Sequence, residues 1–199
     1  MCRFIETIRI DNGEIRNLPY HNRRLNETRS HFWQGSSLLQ LEDYLKPVQS
    51  SEVFKARVVY GETGIEEVSY AAYTMRCVQS LAIIQSDTID YTYKSTDREA
   101  LNHLFAQRGT CDDVLIVKQG LLTDTSIANI ALYNGNYWYT PKQPLLGGTK
   151  RAQLLEESIL QENEIRLEDL SSFSAIRLFN AMINWGELEL PINALHSTC

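Results

Sequence analysis

Three stretches of this sequence carry residue types that could do chemistry. Gly147-Gly148-Thr149 precedes a helical pattern, and the N–H groups, the positive dipole end and the hydroxyl at such a helix start can bind a phosphate. Asp124 follows an apolar run and could act as an acid, whereas Lys94, in the connector YTYKSTDR, could act as an amine. Taken alone, each also has an ordinary interpretation, as a loop glycine, a turn aspartate or a solvated lysine.

The composition indicates a globular protein and argues against two classes of partner. The chain has 199 residues, of which 43% are hydrophobic, and a net charge of −6 without a basic stripe. A sizeable core is therefore possible, and neither nucleic acid nor an anionic membrane is an expected partner. The amino-terminal MCRFIETIRI alternates and carries charges, so it lacks the apolar core of a signal peptide. We expect a cytoplasmic protein.

The spacing of cysteine and histidine gives no sign of a metal centre. The four cysteines and four histidines are widely scattered, without the short paired spacings of a metal knuckle or a redox dithiol. We therefore expect no bound metal, and we expect the cysteines to be reduced thiols.

The first part of the chain is predicted to form a small α+β domain. Asn12-Gly13 separates two alternating apolar segments, which predicts an opening β-hairpin. Two helices are predicted next. One follows Pro19, and the other carries Leu38, Leu41 and Leu45 on one face. The strands predicted after them cover residues 54–60, 66–73 and 81–85.

The second part is predicted to form a larger α+β domain. A helix begins after the capping-box pattern at 96–99 and ends near Gly109. A second helix, with Ala152, Leu155 and Ile159 at helical spacing, follows the Gly-Gly-Thr stretch. Strands are predicted over 114–117, 130–133, 137–139 and 175–179, with antiparallel pairing implied by the turns. The predicted domains are residues 1–86 and 87–199.

Three ordered motifs resemble the class IV aminotransferase family. A strand and a glycine turn lead into an acid-x-Ser/Thr-x-x-Asn signature, at whose positions stand Asp124, Ser126 and Asn129. Residues 145–150, LLGGTK, lie where the family has Leu-x-Gly-Ile-Thr-Arg, so that glycine replaces an aliphatic residue and lysine replaces arginine. Residues 21–25, HNRRL, match His-x-x-Arg-Leu. The resemblance covers nearly the whole chain.

The resemblance implies an α+β, two-domain fold of the D-amino acid aminotransferase-like kind, known as fold type IV. Its cofactor, pyridoxal 5′-phosphate, lies at the interface of the two domains in this family. A lysine attaches the cofactor, and Lys94 stands at that position. An acid, which is Glu in most relatives, keeps the pyridine nitrogen protonated, and Asp124 stands there. Lys94 and Asp124 are therefore the candidate catalytic residues.

The remaining cofactor-binding candidates also follow from the resemblance. Arg24 matches the arginine that holds the cofactor phosphate through charge-assisted hydrogen bonds. Gly148 and Thr149 match the phosphate loop at a helix start, and Ala181 and Met182 match a second phosphate loop.

Two candidate substrate-binding residues lie on one predicted strand. Tyr60, followed by Gly61, stands where many relatives have an Arg-Gly pair that binds a substrate carboxylate. Arg57, three residues earlier, could replace that arginine.

The resemblance implies a homodimeric pyridoxal-phosphate enzyme that acts on a small amino acid and a 2-oxo acid. An alternative within the family is 4-amino-4-deoxychorismate lyase, which eliminates pyruvate and gives 4-aminobenzoate. Asn180-Ala181-Met182 is more similar to the lyase than to most aminotransferases, which have a Ser/Gly-Thr pair there. A third interpretation is a non-catalytic binding protein that has kept the fold.

Overall fold

Residues 2–197 are described by the structure, which is a computed structural model. The chain divides into two compact units. The first comprises Met1–Met75 and Tyr93–Asp97, and the second comprises Arg76–Thr92 and Arg98–Cys199. The boundary predicted at residues 86/87 lies within the Arg76–Thr92 segment, which packs with the second unit.

Three α-helices and thirteen strands form within the described residues. The helices are α1 (Leu18–Phe32), α2 (Glu99–Ala106) and α3 (Thr149–Glu156). The strands are β1 (Phe4–Asp11), β2 (Glu14–Ile15), β3 (Phe54–Gly61), β4 (Gly64–Ala72), β5 (Leu81–Gln85), β6 (Asp113–Lys118), β7 (Leu121–Thr125), β8 (Asn129–Tyr133), β9 (Trp138–Pro141), β10 (Gln161–Asn163), β11 (Ala175–Phe179), β12 (Glu189–Pro191) and β13 (Leu195–His196). No helix in this part of the chain is long and apolar enough to cross a membrane.

The first unit is a four-stranded antiparallel sheet with α1 packed on it. The strand order is β2-β1-β3-β4. The opening hairpin is confirmed, and its turn residues Asn12 and Gly13 have φ values of 51° and 79°, the positive angles that a tight hairpin requires. Leu25 of α1 is fully buried in a core with Ile8 of β1 and Val58 of β3. Burial of this apolar face is what holds the helix to the sheet.

The second helix predicted for this unit is wrong. Only one turn of 3-10 helix forms there, at Leu41–Asp43. The Asn26 side chain exchanges two hydrogen bonds of 2.9 Å with the backbone of Leu39, and Asn22 Oδ1 accepts a third, also 2.9 Å, from the N–H of Leu41. These bonds occupy backbone groups that a helix would pair internally, so the segment stays extended against α1.

The second unit is built on a mixed nine-stranded sheet. Its main path is β10-β9-β8-β7-β6-β5-β13, and β11 pairs with both β8 and β12. The antiparallel run from β6 to β9 is confirmed. Parallel pairs also occur, namely β5 with β6, β13 with β5 and β10 with β9. Leu115, Ile130 and Leu178 from three of these strands are fully or almost fully buried in one core.

The buried face of helix α3 is shifted by one residue along the sequence from the predicted face of Ala152, Leu155 and Ile159. Arg151 and Leu154 are buried, whereas Ile159 lies beyond the helix and is 40% exposed. An arginine can be buried here because its charge is paired. Arg151 Nη2 donates to Glu162 Oε1 at 2.6 Å and to the carbonyl of Pro141 at 2.8 Å. A prediction from the spacing of apolar residues places arginine on the solvent side, so it assigns the wrong buried face to α3.

The cysteines differ in state. Cys2 and Cys77 are free and exposed. Cys111 is buried and disulfide-bonded, so the expectation of a reduced thiol is wrong at this position. Cys199 lies outside the described residues. No group of three or more His, Cys, Asp or Glu side chains within residues 2–197 is arranged to hold a metal ion.

Leu25→Ala should destabilise the chain strongly, because it removes a fully buried side chain from the core of the first unit. The expected loss in the free energy of unfolding is about 2–5 kcal/mol. Leu38→Ala is the matched control, since Leu38 is 75% exposed and its loss should change stability by less than about 0.5 kcal/mol. Urea unfolding of both variants measures the difference. Equal losses would contradict the packing of α1.

Candidate active site

A buried carboxylate on β1 holds Arg24 in place. Glu6 is fully buried, and its two oxygens accept hydrogen bonds from Arg24 Nε at 2.9 Å and Arg24 Nη2 at 2.6 Å. His21, one turn earlier on α1, lies with Nδ1 2.6 Å from Glu6 Oε2. Two parallel bonds to one carboxylate fix both the position and the plane of a guanidinium. Arg24 is therefore a rigid, oriented cation.

The pKa values in this cluster show which groups are charged. Burial acts to raise the pKa of Glu6, but the charge of Arg24 and the hydrogen bond from His21 outweigh it and lower the pKa from 4.5 to about 2. Burial lowers the pKa of His21, and the charges of Arg24 and Lys94 act in the same direction. A neutral imidazole beside an ionised carboxylate donates through Nδ1–H. Glu6 is thus ionised and His21 is neutral at pH 7.

Lys94 belongs to the same unit as Arg24 and Glu6. The segment Tyr93–Asp97 extends the sheet at β1, because the Lys94 carbonyl accepts a bond of 2.9 Å from the N–H of Ile5 and Ser95 forms a bridge with Phe4. The charge of Lys94 also contributes to the pKa of His21. The structure therefore places two of the predicted site residues, Lys94 and Arg24, in the same unit, where the charges of both act on His21.

Asp124, in the second unit, is also a buried carboxylate. It lies near the end of β7, where it pairs with Asn129 of β8, and its side chain is buried, with 4% exposure. Its Oδ1 accepts a bond of 2.9 Å from Asn129 Nδ2, and its Oδ2 accepts one of 2.9 Å from the N–H of Leu146. Asn129 Nδ2 also donates to the carbonyl of Leu146 at 2.9 Å. The acid is thus attached to the loop that precedes α3.

Burial dominates the titration of Asp124. It raises the pKa from 3.8 to about 7, although the hydrogen bonds from Asn129 and from the backbone of Leu146 and the charge of Arg151 oppose the rise. Neutral donors stabilise a buried carboxylate less than a paired cation does. Asp124 can therefore hold or release a proton near neutral pH.

The start of α3 is shaped by two glycines with different surroundings. A Cβ added to Gly147 would have no atom within 4 Å, whereas a Cβ added to Gly148 would lie 1.9 Å from Asn129 Oδ1. Gly148 is the N-cap residue of α3, and Thr149, the first helical residue, is buried. The helix start therefore has open space beside Gly147, as a phosphate-binding turn requires, and a strict demand for glycine at position 148.

The second predicted phosphate loop is organised by Asn180. Its Oδ1 accepts the N–H groups of Met182 at 2.7 Å and of Ile183 at 2.9 Å. The backbone N–H of Met182 is thus engaged within the loop, which makes Met182 the weakest of the predicted phosphate contacts. Ala181 lies between these residues and is half-buried.

Two long-range hydrogen bonds hold the connection between β7 and β8. Arg98 Nη2 donates to the carbonyl of Ser126 at 2.7 Å, and Asn180 Nδ2 donates to the carbonyl of Ile127 at 3.0 Å. The loop that contains Ala181 and Met182 is therefore tied to the hairpin that carries Asp124. The structure brings Asp124, Gly148 and these loops together within the second unit.

The two predicted substrate residues lie in different environments. Tyr60 is fully buried, with its ring 5.9 Å from that of Phe4. Burial raises the pKa of its hydroxyl. Arg57 is partly exposed, with Nη1 3.9 Å from Glu67 Oε1. Tyr60 is a core residue of the first unit, and Arg57 alone of the pair is open to solvent.

Two residues that contact the predicted site residues, Glu6 and Asn129, are not functional candidates by sequence alone, and only Glu6 has a local signal, a weak one. Glu6 lies on the alternating face of β1 that also carries Phe4, Ile8 and Ile10, and a charged residue in an apolar series indicates a buried partner. Asn129 was noted only as part of a motif. No local pattern reveals its bond to Leu146, which lies 17 residues away.

The family profile described as Amino-transferase class IV matches residues 64–188. The chain belongs to this family. Its members are pyridoxal-phosphate-dependent enzymes, and the chain is an enzyme of the class IV aminotransferase type.

Similar proteins match this chain along most of its length and support its place in the class IV aminotransferase family. A Haemophilus influenzae protein without a characterised function is 35% identical over 188 residues, which cover 92% of this chain and 98% of the relative. A crystal structure of a candidate 4-amino-4-deoxychorismate lyase from Haemophilus somnus 129PT has a TM-score of 0.87 and 32% identity, and the match covers 93% and 98% of the two chains. A Schizosaccharomyces pombe protein, named as a candidate aminodeoxychorismate lyase, is 26% identical over 190 residues, covering 85% and 81%. The predicted fold type IV is confirmed.

Glu6→Gln should remove part of the acid sensitivity of folding. The pKa of Glu6 is about 2 in the folded chain, below its ordinary value of 4.5. Ionised Glu6 therefore contributes stability that is fully present above pH 4.5 and is lost as the pH falls towards 2. The contribution is on the order of 3 kcal/mol.

The measurement is urea unfolding of the parent and the variant from pH 5 to pH 2. The variant should be less stable at pH 5, because Arg24 loses its charged partner, and its stability should fall less on acidification. Glu14→Gln is the control, since Glu14 forms an ion pair with Arg16 at the surface and should leave the slope unchanged. A parent slope retained in Glu6→Gln would contradict this account.

Proposed function

We propose that this chain binds pyridoxal 5′-phosphate and eliminates pyruvate from 4-amino-4-deoxychorismate, giving 4-aminobenzoate. The observation that carries this choice is the 32% identity to the Haemophilus somnus candidate lyase over 93% of this chain and 98% of that one. The Asn180-Ala181-Met182 loop, which is similar to the lyase version, supports the same choice.

The second candidate is amino-group transfer between a small amino acid and a 2-oxo acid. The family profile itself favours it, since the matched family is named for that activity. Tyr60 argues against amino-group transfer, because a buried tyrosine stands where many aminotransferases have a carboxylate-binding arginine. Arg57, on the same strand, is accessible and could take that role. In either reaction the chain would work as a homodimer, as the family resemblance implies, and in the cytoplasm, as its charged, alternating amino-terminal sequence indicates.

The residues of each unit suit the cofactor on geometric grounds. In the first unit, the oriented guanidinium of Arg24 is suited to a phosphate, and Lys94 supplies the amine. In the second unit, the open helix start at Gly147, with Gly148 and Thr149, is suited to a phosphate. We assign Ala181 and Met182 to further phosphate contacts, with Met182 the weaker of the two.

Bound pyridoxal phosphate supplies an electron sink for the substrate bond that breaks. Lys94 Nζ would attach the cofactor. Once the substrate has displaced Lys94 from the cofactor, the same Nζ would accept and return the proton that moves during the reaction. Asp124 would hold a proton at the pyridine nitrogen. Because the pKa of Asp124 is about 7, its carboxyl group is protonated for part of the time at neutral pH and could supply this proton to the pyridine nitrogen.

The deciding experiment incubates the purified chain and pyridoxal phosphate with 4-amino-4-deoxychorismate, and separately with a panel of L- and D-amino acids with 2-oxoglutarate or pyruvate. We expect 4-aminobenzoate and pyruvate from the first incubation. Borohydride reduction followed by peptide mass spectrometry should place the cofactor on Lys94, and Lys94→Ala should abolish both the adduct and turnover. Lys118→Ala and Lys150→Ala are matched controls that should retain both.

The outcomes separate the candidates. Amino transfer without 4-aminobenzoate would replace the lyase by an aminotransferase. A cofactor adduct on Lys118 or Lys150 would remove Lys94 from its assigned role. If the chain neither binds the cofactor nor turns over any substrate, the remaining interpretation is a non-catalytic binding protein that has kept the fold.

Asp124→Asn should separate cofactor binding from catalysis. The substitution keeps the size and most hydrogen bonding of the side chain but removes the charge that would hold the pyridine nitrogen protonated. We expect near-normal cofactor affinity and a fall in turnover of about a hundred-fold, the size expected for a loss of about 2.7 kcal/mol of transition-state stabilisation. Asp90→Asn, at an exposed acid of the same unit, is the control. Parental turnover in Asp124→Asn would reduce Asp124 to a turn residue.

A further inference from the structure

The side chain of Asn129 occupies the space that a side chain at position 148 would fill. Asn129 Oδ1 lies 1.9 Å from the ideal Cβ position of Gly148, and Asn129 Cγ lies 3.1 Å from it. Non-bonded heavy atoms cannot approach so closely, so any residue other than glycine would displace the Asn129 amide. Both residues are buried, which leaves the amide little room to move aside.

The displaced amide would break the contacts that fix Asp124. Asn129 Nδ2 donates to Asp124 Oδ1 and to the carbonyl of Leu146, both at 2.9 Å. Asp124 would then keep the bond of 2.9 Å from the N–H of Leu146. An amide that spans two acceptors on different segments sets the distance between those segments as well as the orientation of the acid.

We infer that Gly148 and Asn129 act as a pair of positioning residues for Asp124, in which the missing side chain at 148 admits the amide that holds the acid. This inference rests on the proposed function for the task of Asp124, but the geometry that carries it involves this chain alone. Gly148 thus has two requirements, a phosphate-binding turn and the space for Asn129. Gly147, with nothing near its Cβ position, has only the first.

The test measures the pKa of Asp124 in the cofactor-free chain by NMR titration of its carboxyl carbon. Gly148→Ala should raise that pKa by about one unit or more, because a hydrogen bond to the charged form is lost. Gly147→Ala is the matched control and should leave the pKa unchanged. A carboxyl pKa that stays at the parental value in Gly148→Ala would overturn the inference.

A double variant shows whether the two residues act through each other. Asn129→Ala should raise the pKa of Asp124 as well. Adding Gly148→Ala to Asn129→Ala should change neither the pKa nor the free energy of unfolding further, since the new methyl group then meets no amide. Effects that add in the double variant would overturn the inference. If Gly148→Ala alone fails to fold, folding of the double variant supports the inference, and failure of the double variant with a folded Asn129→Ala overturns it.

A separate titration with pyridoxal phosphate distinguishes this inference from the proposed function. The absorbance of the cofactor reports binding to the parent, Gly147→Ala and Gly148→Ala. A parent that binds no cofactor, together with the expected pattern of Asp124 pKa values, would overturn the proposed function and leave the positioning pair intact. We expect binding to the parent and weaker binding to Gly148→Ala than to Gly147→Ala.

Discussion

In the second unit, one side-chain amide, that of Asn129, joins the buried acid Asp124 to the turn before α3. A carboxylate removed from water must find donors, and Asp124 finds one in Asn129 and another in the backbone of Leu146. The same amide bonds the carbonyl of Leu146, so the hairpin of β7 and β8 and the turn before α3 share one fixed point. Asp124 and Gly148 both depart from the family motifs that the sequence resembles. Asn129 contacts the first and fills the space left by the second.

Two buried carboxylates meet the cost of desolvation in opposite ways. Glu6 is paired with a guanidinium and an imidazole, and its pKa falls to about 2. Asp124 has only neutral donors in contact, and its pKa rises to about 7. The first arrangement gives a permanent charge that orients a cation, whereas the second gives a group able to exchange a proton at neutral pH. The type of partner, more than the depth of burial, decides the outcome.

Sequence patterns predicted most strands and turns of this chain, because alternation and Asn-Gly turns are local properties. They failed where side chains from distant segments intervene. Asn22 and Asn26 hold the segment after α1 extended. In α3, Arg151 is buried because it is paired with Glu162, which shifts the buried face by one residue from the predicted one. Residue types and motifs suggested Lys94, Arg24 and Asp124 as site residues, and these assignments stay predictions. The buried partners that orient them, Glu6 and Asn129, are set by tertiary contacts and had no local signal strong enough to assign a role.

The ties on the connection between β7 and β8 also set an order of events during synthesis of the chain. Arg98, which holds the carbonyl of Ser126, precedes it by 28 residues, but Asn180, which holds the carbonyl of Ile127, follows by 53. Strand β11, which pairs with β8, is likewise made late. Closing such long loops costs chain entropy that is recovered only when the final contacts form. On the ribosome, the bond from Asn180 to the hairpin that carries Asp124 can therefore form only after Asn180 has left the exit tunnel.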